Sequence, residues 1–394
     1  MKSVIGADPY VLFDKKSGYY YCYATSNTKH NKTFYIYKSK DLINWEFVDY
    51  ALDTSKNNWG KDWYWAPECY YNPHNNHYYL FYSARLKDEL TKEYFYEDNY
   101  EENCKIGVAV STSPEGPFIN ITDRPIDYYP YDPNYLNVDK VYKNTFAKDI
   151  DLSKRLSAPK GVYISSIDVN LFFDEDRIYM FYSRCCYRNC IFDEEYQKFI
   201  EESNIVAVEL DTSWWFDKEA KTMPTIKKEY ISYNNNQRQD KFTNIITYHN
   251  EKQAWENGHI NDYDNNFGSK RNRRWSEGST TFTKMLNGEK VYCITYSCNN
   301  YQNALYGVGI AFSKNALGPY KKYEKNPIIH QIKEESLYST GHGTIIEKNG
   351  EMYYFLHGRD NVEHDRTLYL AKININSITD VSVDKVEMCK LIEE

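Results

Sequence analysis

The sequence predicts an all-β fold, a five-bladed β-propeller, and three observations carry that expectation. First, one phrase recurs five times: an ionisable residue heads an apolar strand, a short turn follows, and a Tyr-rich strand returns. The copies open at Asp8 (DPYVLF into GYYYCYATS), Glu68 (ECYYN into NHYYLFYSA), Asp168 (DVNLFF into RIYMFYSR), Glu277 (EGSTTF into KVYCITYSC) and His342 (HGTIIE into EMYYFLHGR). Second, the distance from the head to the small residue closing the second strand is 15 to 20 positions in every copy, so the register holds. Third, the chain carries 41 Tyr and is 17 % aromatic, a bias that suits pleated, half-buried strands. A strand–turn–strand unit cannot bury its apolar face alone, and radial stacking of such units makes a propeller. The first strand of each blade then lines a central channel, and the five heads converge at one mouth.

The elements follow in order. Third and fourth strands are visible as KTFYIYKSKDLINWEFV in the first blade, CKIGVAVSTSPEGPF in the second and LYGVGIAFSKNALGPY in the fourth, with Gly-Pro marking the strand-ending turn. Heads stand 60 to 109 residues apart, so the long gaps hold inserts. The insert at about 119–160 carries Pro125, Pro130 and Pro133 and reads as an ordered loop without a long helix. In the insert at about 184–204, the charges and spacing of DEEYQKFIEES fit a short surface helix. The insert at about 233–274 is polar and Asn-rich. Long loops on the rim of a rigid scaffold usually shape recognition, a solvated excursion being the plain alternative. The whole of 1–394 is expected to be a single domain, long for one but within the range of all-β architectures.

Net charge is −8 with a pI near 5.7 and no basic stripe, which argues against nucleic acid as a partner. No stretch approaches the roughly 18 apolar residues of a membrane span. The N-terminus enters the first blade within eight residues, so the expected location is cytoplasmic, or secreted if a signal peptide has been removed. The nine cysteines are scattered, and the cluster Cys185, Cys186 and Cys190 has no nearby histidine to complete a zinc site, so free thiols are expected. Sequons at Asn31 and Asn120 carry no weight outside a glycosylating pathway.

Hydrolysis of a glycosidic bond needs one carboxylic acid to protonate the leaving oxygen and one carboxylate to activate water or attack the sugar. Asp8 and Glu277, heading strands of the first and fourth blades, would stand across the channel with room for a sugar and a water between them, and Asp168 is a third acid in the same ring. A neighbouring anion raises the pKa of such an acid and keeps it protonated near neutral pH. Any one of these acids alone reads as a solvated strand end; matching positions in separate repeats argue otherwise. Glu68 closes the phrase Trp65-Ala66-Pro67-Glu68 and fits either a substrate contact or a structural acceptor. Trp65 and Trp275 suit stacking on a sugar face, with core packing as the rival for both.

Asp8-Pro9-Tyr10, Trp65-Ala66-Pro67-Glu68, Ser166-Ile167-Asp168, Trp275-Ser276-Glu277-Gly278 and Gly341-His342-Gly343, in this order and spacing, resemble glycoside hydrolase family 43 from about residue 6 to 378. The resemblance implies a five-bladed propeller and hydrolysis with inversion of arabinose- or xylose-containing plant polysaccharides. It assigns Asp8 as general base, Glu277 as general acid, and Asp168 as the residue that tunes the acid and orients the substrate. Arg359, in LHGRD, matches a position from which an arginine can point at the substrate, a salt bridge being the alternative. His342 matches a channel histidine that in several members helps hold a metal ion through water. No cofactor is then needed for the chemistry, while a structural calcium or sodium ion in the central channel is compatible with the resemblance. Many members carry a β-sandwich domain after the propeller, whereas this chain ends about sixteen residues past its fifth blade. No such C-terminal domain is expected, and pocket closure would fall to the inserts. That departure favours an arabinofuranosidase or an arabinan-active enzyme over a β-xylosidase, and the presence of all three acids argues against a propeller that only binds carbohydrate. The expected activity is exo-acting removal of terminal α-L-arabinofuranosyl residues from plant cell-wall polysaccharides or oligosaccharides, with a β-xylosidase or an arabinan-cleaving enzyme as the alternative.

Overall fold

Every repeat folds as a meander of antiparallel strands, and the second, Tyr-rich strand explains why. In a computed structural model, which describes residues 2–141, 151–262, 271–361 and 363–392, the strand Tyr19–Thr25 sends Tyr21 and Tyr23 into one core cluster and Tyr20, Cys22 and Ala24 into another. His77–Leu86 does the same, with Tyr79 and Phe81 on one face and Tyr78, Leu80 and Tyr82 on the other. Side chains alternate along a strand, so a strand covered on both faces reads as a continuous apolar run. Each meander is therefore sandwiched between two others, and its first strands and second strands supply most of the core.

The first unit comprises Ala7–Asp14, Tyr19–Thr25, Lys32–Ser39 and Asn44–Asp53. The second is Gly60–Asn72, His77–Leu86, Cys104–Ser111 and Ile119–Asn120. The third is Ser165–Asp174, Arg177–Cys185, Lys198–Leu210 and Thr243–Ile246. The fourth is Arg273–Leu286, Glu289–Cys298, Gly307–Ser313 and Lys321–Lys322. The fifth is Tyr338–Lys348, Glu351–Arg359, Thr367–Ser377 and Asp380–Met388. The first strands pack side by side in cyclic order, one on two, two on three, three on four, four on five and five on one. Both ends of the chain reinforce the last joint: Lys2–Ser3 pairs with Lys390–Leu391, which runs parallel to Asn44 and Trp45 of the first unit, and the Leu368 N–H of the fifth unit donates to the Val4 carbonyl.

The segment DEEYQKFIEES is not helical. It forms the turn and second arm of a hairpin, Asn189–Asp193 against Lys198–Leu210, and the latter strand continues for 13 residues into the third unit. Glu201 and Glu202, whose charges suggested a solvated helix face, are buried because arginines from another segment meet them: Arg271 and Arg273 on Glu201 at 3.0 Å each, Arg274 on Glu202 at 3.2 Å. Strand pairing then wins over a weak helical pattern. In the Pro-rich insert, Tyr131–Asn137 pairs with Lys160–Tyr163, flanked by the short helices Val138–Val141 and Leu152–Leu156; no long helix occurs among its described residues. The Asn-rich insert holds the hairpin Tyr233–Asn234 with Gln237–Arg238 and supplies the fourth strand of the third unit. All nine cysteines are unpaired and buried. No helix among the described residues is long and apolar enough to cross a membrane.

Candidate active site at the bulged strand heads

Each first strand breaks its ladder near its head, and that break builds the site. The last pairs before the break are Ala7 with Thr25, Trp65 with Ser83, Ile167 with Ser183, Glu277 with Ser297 and Gly341 with His357. The residue that follows bulges out in left-handed backbone: Asp8 (φ +49°), Ala66 (+48°), Asp168 (+54°), Gly278 (+59°) and His342 (+41°). Such a conformation costs a non-glycine residue on the order of 1–3 kcal/mol and persists where surrounding structure imposes it. At four of the five bulges the preceding unit does so through a residue at the end of its second strand. Thr25 Oγ1 accepts the Ala66 N–H at 2.8 Å, Ser183 Oγ that of Gly278 at 3.1 Å, Ser297 Oγ that of His342 at 2.8 Å, and His357 Nδ1 that of Asp8 at 3.0 Å. Thr25, Ser183, Ser297 and His357, at the ends of the Tyr-rich strands, are thus clasps between neighbouring units.

This register corrects two of the five heads. Asp8, Asp168 and His342 are structurally equivalent, as their spacing suggested. Glu277 stands one residue before its bulge, and Glu68 lies two residues past Ala66, where strand pairing has resumed. Counting from strand to strand could not see the offset, because a bulge adds a residue without changing the phrase.

Asp8, Asp168 and Glu277 are buried at the strand heads, 8 %, 6 % and 8 % exposed. Asp8 Oδ1 takes a charged hydrogen bond from Arg366 Nη1 at 3.0 Å, with His342 Nδ1 at 3.3 Å. Burial alone would raise the Asp8 pKa; Arg366, the two imidazoles and the Thr25 hydroxyl outweigh it and hold the carboxyl well below its usual range. Glu277 goes the other way. Burial pushes it up to about 7, against hydrogen bonds from Trp275 Nε1 to Oε2 (2.8 Å) and from the Tyr306 hydroxyl to Oε1 (2.9 Å), with the Asp8 charge adding to the rise. Asp168 is also raised, by burial and then by repulsion from Glu277 and Asp8, and its Oδ2 has no hydrogen-bond partner. The Asp168 and Glu277 pair therefore retains a proton at a pH where Asp8 has lost its own.

The remaining candidates divide. Glu68 is tied into an inner network below the heads: the Tyr70 hydroxyl and Asn170 Nδ2 (3.1 Å) donate to its carboxyl, Tyr70 accepts the Leu171 N–H at 2.7 Å, and Asn170 Oδ1 accepts the Thr281 N–H at 2.9 Å. Trp275 is closed off from solvent at 2 % exposure, its ring against Tyr187 and its N–H on Glu277, so it serves the acid and is not a sugar platform. Trp65 is half-buried and stacks on Trp63 with centroids 5.1 Å apart. Arg359 donates to the His364 carbonyl at 2.9 Å, while the arginine that reaches the Asp8 carboxylate is Arg366.

His342 is packed against Gly278, where a Cβ would stand 2.6 Å from its ring; the flanking Gly341 and Gly343 make room instead for Tyr306 and for the Phe355 carbonyl. Burial holds the imidazole below its usual pKa, against Asp8 and together with Arg366. Among the described residues no three His, Cys, Asp or Glu side chains converge as metal ligands would, and the carboxylate beside His342 is already neutralised by Arg366. The side chains here do not fit a directly ligated cation. Sequence reasoning missed Arg366, Tyr306 and His357: no pattern marks the first, the second is one Tyr among 41, and the third was read only as part of a strand.

An all-β scaffold that gathers one ionised carboxyl and one proton-holding carboxyl pair at the heads of its inner strands has the equipment for general acid–base hydrolysis. The chain belongs to glycoside hydrolase family 43: the model of that family, Glycosyl hydrolases family 43, matches residues 2–143 and 151–377. Among solved structures, it is similar to an endo-1,4-β-xylanase from Bacteroides thetaiotaomicron (26 % identity, 99 % of this chain and 98 % of that one, TM-score 0.65). It is also similar in fold to an α-L-arabinofuranosidase from Lactobacillus brevis (14 % identity, 96 % and 94 % covered, TM-score 0.57) and to a Cellvibrio cellulosa α-L-arabinanase complexed with arabinohexaose (14 %, 97 % and 96 %, TM-score 0.54). No curated protein matches the chain.

Proposed function

We propose that the protein is an inverting glycosidase that removes terminal α-L-arabinofuranosyl residues from plant polysaccharides or oligosaccharides, with Asp8 as general base and Glu277 as general acid. The observation that carries the reading is the opposed charge state of these two buried carboxyls, one held ionised by Arg366 and the other pushed up to about 7. In this reaction a water attacks the anomeric carbon and gives its proton to Asp8, while Glu277 gives its proton to the departing glycosidic oxygen. Exchange with solvent then returns each group to its starting state. Asp168 serves as the proton-sharing neighbour of Glu277, its own carboxyl raised by burial and by repulsion from Glu277 and Asp8, while burial and then the Asp8 charge raise Glu277. Arg366 orients Asp8, and Trp65 offers a half-buried ring toward the sugar. We read the scaffold as a single-domain five-bladed propeller, a reading supported by the closed cyclic packing of the first strands.

A second reading, cleavage of xylan or xylo-oligosaccharides, is favoured by the 26 % identity to an endo-1,4-β-xylanase. Release assays on aryl α-L-arabinofuranoside, aryl β-D-xyloside, arabinan and xylan separate the two. Turnover of the arabinofuranoside above the xyloside is expected, and the reverse order selects the second reading. No turnover of any of the four would leave a carbohydrate-binding protein and sink both. Proton NMR of the first-formed sugar should show the inverted anomer; retention would make one carboxylate a nucleophile.

A further inference from the structure

We propose that Tyr306 is a positioning residue for proton donation, holding the Glu277 carboxyl at a fixed place relative to Asp8. The inference rests on the reading of Glu277 as the general acid. Tyr306 is fully buried, and its hydroxyl lies 2.9 Å from Glu277 Oε1. Its ring runs nearly parallel to the His357 imidazole, with centroids 5.8 Å apart and planes 14° off. His357 in turn accepts the Asp8 N–H at 3.0 Å. An unbroken line of contacts therefore joins acid to base through Glu277, Tyr306, His357 and Asp8. The inner strand of the fifth unit is shaped for it: a Cβ at Gly341 would stand 2.3 Å from the Tyr306 ring.

The chemistry of the two groups on Glu277 distinguishes their parts. The Trp275 N–H can only donate, so it suits an unprotonated oxygen at Oε2 in every state. A hydroxyl both donates and accepts, so Tyr306 donates to Oε1 of the carboxylate and turns to accept when that oxygen carries a proton. A general acid changes protonation state in every turnover, and Tyr306 is the partner that stays hydrogen-bonded through the change. Its anchored ring keeps the carboxyl from swinging as it does so.

Tyr306→Phe retains the ring against His357 and Gly341 and removes one oxygen, which isolates the hydroxyl. Two substrates of the pentose that the release assays select provide the readout: the 2,4-dinitrophenyl glycoside, whose leaving group departs with little protonation, and the unactivated disaccharide, which needs it fully. In Tyr306→Phe, kcat on the disaccharide should fall by about tenfold to a hundredfold, a fraction of the roughly 10²–10⁴ that general acid catalysis supplies, while kcat on the dinitrophenyl glycoside and both KM values stay within about threefold. Gly341→Ala, which presses on the same ring from the inner strand, should show the same split. Glu277→Ala is the reference and should show the split at larger size. Equal losses on both substrates, or no loss, in Tyr306→Phe beside a clear split in Glu277→Ala would overturn the inference and leave the acid in place. Absence of the split in Glu277→Ala would instead overturn the assignment on which the inference depends.

Discussion

Two of the places where this molecule buries several charges together are built on opposite terms. At the seam between the third and fourth units, Asp193, Glu201 and Glu202 meet Arg271, Arg273 and Arg274, with distances of 2.8 to 3.2 Å, and Asn257 accepts a further hydrogen bond from Arg274 at 2.8 Å. At the strand heads, Arg366 pairs with Asp8, and among the described residues neither Asp168 nor Glu277 has an ion-pair partner. The seam matches charge with charge and holds a strand pairing in place. The heads leave a surplus of negative charge, which is resolved by retaining a proton on the Asp168 and Glu277 pair. A buried cluster whose charges balance reads as scaffold, while one that must carry a mobile proton is equipped for chemistry.

The sharpest way to break the comparison is to neutralise the heads. Asp8→Asn and Glu277→Gln should each lower turnover by roughly 10²–10⁴-fold, with melting temperatures close to wild type, since each removes a reacting group and keeps its shape. Near-normal turnover in either would end the assignment. The seam should behave in reverse: Arg274→Ala strands Asp193 without its arginine, leaves Glu202 with His249 alone, and should cost about 3–5 kcal/mol of stability, as breaking a buried pair does. Urea unfolding measures that loss, and kcat per folded molecule should hold; a stable but inactive Arg274→Ala would erase the distinction.

A smaller effect is expected at Arg366, the cation paired with Asp8. With Arg366→Met, burial of Asp8 loses its main opponent and the carboxyl pKa rises. The base is then protonated at higher pH, so the acidic limb of the kcat/KM profile should move upward by about one unit or more, one unit being about 1.4 kcal/mol. An unmoved limb would mean that Asp8 does not set it. In wild type, the basic limb should fall near 7, where Glu277 loses its proton.

The smallest change should come from Glu68, which burial raises to about 8 although it stands outside the heads. It is protonated at pH 7, so Glu68→Gln replaces one neutral, hydrogen-bonding group by another, and kcat should stay within about twofold on the argument that shape and polarity are kept. Because its folded pKa lies above the ordinary 4.5, ionising pressure on Glu68 destabilises the wild type progressively as pH rises from 4.5 toward 8. The variant should therefore gain stability relative to wild type between melting experiments at pH 5 and pH 8. A variant that gains nothing, or loses stability, relative to wild type as pH rises from 5 to 8 would contradict the burial argument.

Much of the scaffold was written in local pattern. Alternation along the Tyr-rich strands specifies two buried faces, the phrase recurs five times, and Asp8, Asp168 and His342 are found at equivalent bulges, as their spacing indicated. Those features depend on residues within a few positions of one another, which is the range over which strand periodicity acts. What the tertiary structure decided lies across the ring. Arg366 reaches Asp8 from 358 positions away and His357 from 349, contacts that exist only because the first and fifth units close on each other. The one-residue offset of Glu277 and the two-residue offset of Glu68 depend on where each ladder slips, and that is set by clasps from the preceding unit's closing residues. DEEYQKFIEES became strand because arginines some 70 residues further on neutralise its glutamates. The chain's own periodicity thus determined most of the strands and brought the acids to within two residues of their heads, whereas exact register, pKa, partner and role were left to groups brought together by closure, since an electrostatic environment depends on distance in space and not on distance along the chain.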